Sequence, residues 1–141
     1  MTRFSRRNLM GVIAAVLLAS GAQAQTFTSA AEVKPILTAT KPSWIALREY
    51  DGQDLLYFTN LLAWRCGVST VRYQINAGEP VDLAMEPCHE NSVQPNALLM
   101  ETIQPYLTFP LASVETVTVE VTYDDDTADT ATYDRKAVLM P

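Results

Sequence analysis

The chain has 141 residues, 48 % of them apolar, with ten basic and sixteen acidic residues, one histidine and two cysteines. Three of the basic residues and none of the acidic ones fall in residues 1 to 24, so residues 25 to 141 hold seven against sixteen, a net charge of −9 with His89 neutral. That balance argues against nucleic acid and against anionic membrane surfaces, both of which require a basic footprint, and leaves cations, neutral ligands and basic protein patches as partners.

The chain opens as an address. Arg3, Arg6 and Arg7 precede an apolar run from Leu9 to Ala19, and Ala22 to Ala24 read "AQA", small residues where a signal peptidase cuts. The reading is a cleaved signal peptide over residues 1–24, removed near Ala24, followed by a single β-rich domain over residues 25–141. The apolar run is short of the roughly 20 residues that a membrane span needs, and no cysteine stands at the cleavage point for lipid attachment. The expected location is therefore periplasmic or secreted, without a membrane anchor. "SRRNLM", Ser5 to Met10, resembles a twin-arginine signal, with the ordinary secretory route as the alternative.

In the domain itself, Ser29 stands three residues before Glu32, the spacing of a helix capping box, and Val33, Ile36 and Leu37 would share one helical face. Pro35 predicts that this helix is kinked or restarts there. From Trp44 the pattern changes to two aromatic and apolar runs around "DG", the strongest short hairpin signal, and predicts strands near residues 44–50 and 54–60. The helical alternative for Asp54 to Trp64 uses Asp54 as its cap. "TVRYQINAGEPVDL" predicts a second hairpin, with Val71, Tyr73 and Ile75 alternating before a turn at Asn76 to Gly78.

Between Glu86 and Pro110 lie Pro87, Pro95, Pro105 and Pro110, which predict irregular chain except around Ala97 to Ile103. Cys88 lies here, beside the only histidine in "EPCHEN". An even pair of cysteines in an exported protein most simply forms one disulfide, Cys66 to Cys88, closing a loop of 23 residues and worth roughly 3 kcal/mol. Metal readings fare worse: a blue-copper site needs a second histidine even with Met85 as axial ligand, and structural zinc needs four Cys or His ligands where three exist. A cysteine nucleophile would require Cys88 free and His89 across a cleft rather than adjacent.

The clearest element is "SVETVTVEVTY", Ser113 to Tyr123, a strand whose Val117, Val119, Val121 and Tyr123 share an apolar face. "DDDT" then turns it back, with Asp126 at a left-handed position. The acidic run Asp124 to Asp129 has the wrong spacing for a calcium loop, since Ala128 occupies a ligand position, and reads as a solvated turn. Trp44, Trp64, Tyr57, Phe58, Tyr73 and Tyr106 are assigned to the core; an exposed patch of three aromatics would instead mark a ligand surface.

"WIALREYDGQDLLYFTNLLAWRCG", "MEPCHENSVQPNA" and "VETVTVEVTYDDDTADTATYDR" together resemble a family of small exported bacterial proteins. The resemblance supports a fixed Cys66 to Cys88 pair and brings no activity, ligand or functional residue. The expected fold is mainly β, with α+β the alternative: an antiparallel sheet or sandwich of hairpins, one short N-terminal helix and one disulfide. The expected function is a periplasmic accessory or binding module for a protein or small ligand, without metal or cofactor. The alternative is a small hydrolase using carboxylates, for which Glu49, Glu86, Glu90 and Glu101 are available; a serine triad would have to use His89 with Ser69 or Ser92 and Asp82, and no nucleophile-turn motif supports it.

Overall fold

A computed structural model describes residues 25–141; the signal-peptide and twin-arginine readings lie outside the described residues. Ser29 caps helix α1, Ala30–Ala39: its hydroxyl accepts from the Glu32 amide and donates to the Glu32 carboxylate at 2.9 Å. The carboxylate in turn accepts from the Phe27 and Thr28 amides, so Ser29 and Glu32 cap the helix at the predicted spacing while the carboxylate reaches just upstream of the cap residue. The helix runs through Pro35 to Ala39 rather than restarting, and Ala30, Val33 and Leu37 are its buried positions, with Ile36 only half-buried.

Seven strands follow in two antiparallel sheets. Strands β1, Ala46–Tyr50, and β2, Gln53–Tyr57, form the hairpin predicted by "DG", and both turn residues adopt positive φ, 51° at Asp51 and 71° at Gly52. Only such a mirror-image turn matches the twist of the flanking strands. Strand β2 stops before the predicted 60, because the chain turns into a helical turn α2, Thr59–Leu62, with Leu61 and Leu62 inward. The helical alternative for this stretch thus holds only after Phe58, and Asp54 is a strand residue rather than a cap.

A 3-10 turn at Arg65–Gly67 leads into β3, Val68–Ile75. Gly67 is required there by close approach: a Cβ would stand 2.4 Å from Val33 Cγ2 and 2.6 Å from the Ser29 carbonyl oxygen, so α1 packs directly on this turn. Strand β3 pairs with a two-residue β4, Val81–Asp82, and with β6, Thr116–Tyr123, which pairs with β7, Ala128–Asp134. Asp126 has φ 64°, as the turn requires. A short helix α3, Arg135–Val138, ends the chain against β1, where the Met140 amide donates to the Leu47 carbonyl.

Strand β5, Tyr106–Pro110, corrects the sequence reading of the proline-rich region: it completes a sheet of order β1-β2-β5, while Ala97 to Ile103 holds no regular element. Pro105 precedes this edge strand and Pro110 is its last residue, which blunts its extension by another chain. The second sheet has order β4-β3-β6-β7. The inward residues of both sheets, Leu47 and Leu56 from one and Val71, Val117, Val119, Val121 and Tyr123 from the other, share one core with α1 and Trp44. The fold is thus mainly β, with one disulfide. Among the described residues no helix is long and apolar enough to cross a membrane.

Candidate functional site

The long connection from Leu83 to Pro105 has no regular structure, yet it must satisfy the backbone groups it buries. Arg65 meets that demand. Its guanidinium, 3 % exposed, donates to the carbonyls of Leu62, Glu86, Pro87, Asn96 and Ala97 and to the Glu86 carboxylate, at 2.6–3.1 Å. A planar fork with five N–H donors is the one side chain able to gather so many carbonyls at one point. The adjacent Cys66 is bonded to Cys88 with 5.1 Å between their Cα atoms, so the disulfide and the guanidinium fix the same two chain segments side by side.

Glu86 is the second organiser. Its carboxylate accepts from the amides of Leu99 and Met100, from Arg65, and lies 2.7 Å from His89 Nε2. Burial raises its pKa, but the Leu99 amide, His89, the Met100 amide and the Arg65 charge outweigh that and hold it at about 2. Asn96 completes the frame, accepting from the Cys66 amide and donating to the Phe27 carbonyl. Within it, His89 and Ser92 close a tight turn through backbone bonds, His89 to Pro95 and Ser92 to His89.

The frame presents apolar side chains to water. Val93, at the tip of that turn, is 100 % exposed, and Leu99 and Met100 are 55 % and 45 % exposed. Met100 has φ 54°, a left-handed conformation that a long side chain adopts only when its surroundings hold it there. Glu86 supplies that hold by accepting from its amide.

Of the residues that the sequence singled out, the structure joins Cys66, Cys88, Glu86, His89 and Ser92 in this one frame, where the Ser92 hydroxyl accepts from the Gln94 amide. It separates Ser69 and Asp82 from them: Ser69 donates to the Thr122 carbonyl and Asp82 pairs with Arg72 at 2.9 Å. Glu49 pairs with Arg135, while Glu90 and Glu101 are exposed on the loop. In the acidic turn, Asp125 pairs with Lys34 and Asp129 with Lys41, which ties the turn to the α1 region. Among the described residues no three His, Cys, Asp or Glu side chains stand together as metal ligands.

The sequence reading missed Arg65 and misplaced Tyr57 and Tyr106. Arg65 carries the frame, and its signal was a charge set among "LLAW" and "CG", where a solvated arginine has no place. Of the aromatics assigned to the core, Trp44 and Phe58 are fully buried, but Tyr57 and Tyr106 stand half-buried and paired on the other face of their sheet from Leu56 and Leu107. Their strand partners alternate correctly; what the sequence did not reveal is which side of the three-stranded sheet the core would take. Compared with known proteins, the chain matches no family model, no curated protein and no solved structure, so the resemblance noted in the sequence receives no further support.

Proposed function

We propose that the protein is an exported accessory module that binds a partner protein through the loop framed by Arg65, Glu86 and the Cys66–Cys88 disulfide. The observation that supports this is the combination of a fixed backbone with outward apolar side chains at Val93, Leu99 and Met100. A loop that served only as a connection would turn these residues inward or remain mobile; a loop fixed before binding loses less conformational entropy when a partner covers it. The disulfide suits an oxidising compartment, in keeping with a periplasmic or secreted location.

The test is site-specific photocrosslinking in an exporting bacterium, with the crosslinking residue at position 93 and, as control, at position 130 on the outer face of the other sheet. The expected result is a discrete adduct from position 93 alone that disappears in Leu99→Asp and Met100→Asp while the disulfide and the yield of protein persist. Equal labelling from both positions, or an adduct indifferent to those substitutions, overturns the reading.

A further inference from the structure

A second surface lies far from the loop frame in character. The alternation that sends Leu47, Leu56 and Leu107 into the core sends Tyr57 and Tyr106, Arg48, Leu55 and Thr108, then Tyr50 and Gln53, to the opposite face in three successive rows across β1, β2 and β5. The Tyr57 and Tyr106 rings stand 5.2 Å apart, and the Arg48 guanidinium lies 4.6 Å from the Tyr50 ring centroid. Between them a depression of about 400 Å³ has Leu55 as its floor, only 7 % exposed although it points away from the core, and a mostly polar wall in which the Asp51 carboxylate at the hairpin turn stands with Arg48, Gln53 and Thr108. The volume is that of a small-molecule site, and an apolar floor ringed by a few hydrogen-bonding groups is how such sites are built. Strand rise places the outer rows roughly 13 Å apart, room for a disaccharide.

Charge decides the ligand. In this acidic chain Lys34, Lys41, Arg65, Arg72 and Arg135 all form ion pairs. Arg48 and Lys136 form none among the described residues, and of these two only Arg48 lies on this face, where its neighbour is an aromatic ring, which orients a guanidinium without neutralising it. An arginine so placed keeps its N–H fork available for a carboxylate. The three tyrosine rings offer flat apolar faces for the C–H side of a sugar ring, and their hydroxyls with Gln53 and Thr108 offer partners for its hydroxyl groups. Beyond Tyr57 a second depression of about 440 Å³, lined by Trp44, Ala46, Ala63 and Met140 among others, continues the groove. We propose that this face binds an acidic oligosaccharide, with Arg48 taking a uronate carboxylate and Tyr50, Tyr57 and Tyr106 stacking on the sugar rings.

The proposal is independent of the loop reading, since no loop residue takes part. It is tested on the mature protein by following backbone amide shifts during titration with digalacturonate, with its dimethyl ester and with benzoate. The expected result is saturable movement of β1, β2 and β5 amides with digalacturonate, weakened about tenfold or more by esterification and by Arg48→Gln. Tyr57→Ala and Tyr106→Ala should also weaken it, without altering the shifts of the second sheet. Equal binding of the ester overturns the role of Arg48. Benzoate binding as well as digalacturonate overturns the sugar, and no movement of these strands at millimolar digalacturonate overturns the site.

Discussion

Arg65 and Arg135 are both taken up by the fold, but they answer different demands. Arg135 forms a two-pronged pair with Asp54, at 2.7 and 3.0 Å, and Asp54 is 0 % exposed. That carboxylate also accepts from the amides of Ala112 and Val114, and Arg135 reaches Glu49. The cluster thereby joins β1 and β2 of one sheet to the chain that enters and leaves the other. Arg65 instead spends five of its bonds on backbone carbonyls, most of them in one irregular loop. The difference is whether the partners can return to water. A loop can peel away and rehydrate its carbonyls; a carboxylate between two sheets cannot without parting them.

The contrast is broken most directly by Arg135→Ala, which strands the Asp54 charge. It is expected to cost about 3–5 kcal/mol in denaturant unfolding, felt in both sheets at once. Reducing the Cys66–Cys88 bond should cost roughly 3 kcal/mol, from the freedom regained by the unfolded chain, and should sharpen the contrast by leaving the Asp54 cluster protected. Arg65→Ala is expected to lose less global stability, about 1–3 kcal/mol, yet to abolish hydrogen-exchange protection at the Leu99 and Met100 amides and to open the loop to protease. If Arg65→Ala instead unfolds both sheets as Arg135→Ala does, the two arginines play one role and the distinction fails.

Acid provides the smallest and most selective probe. Asp54 is held at about 2, chiefly by its bonds to Arg135 against the opposing effect of burial, and then by the Val114 and Ala112 amides. Glu86 sits at about 2 as well. Both values are depressed, from 3.8 and 4.5, so the stability these groups contribute is present above those ordinary values and is lost as pH falls toward 2. The expected profile is flat above about pH 5 and falls below it. Glu86→Gln should flatten part of that fall, read as a smaller change in denaturant midpoint between pH 5 and pH 3. An unchanged slope would mean that Glu86 is not paired as seen.

The sequence by itself determined the local structure wherever neighbouring residues carry the cause. Ser29 and Glu32 close their own cap, Asp51 and Gly52 accept the positive φ of their turn, and the alternating valines of β6 can bury only one face. An even count of two cysteines, with the expectation of export, was enough to pair Cys66 with Cys88. What only the tertiary structure decided involves partners distant in the chain. Strand β5 has β-forming residues at Tyr106, Thr108 and Phe109, but so short a run set among prolines is ordered only because β2 offers it a ladder. Asp54 reads as the first residue of a strand, or as a cap in the helical alternative, and only Arg135, eighty-one residues away, makes it a buried ion. Tyr57 and Tyr106 read as core because alternation shows that a strand has two faces and is silent on which of them the rest of the chain will cover.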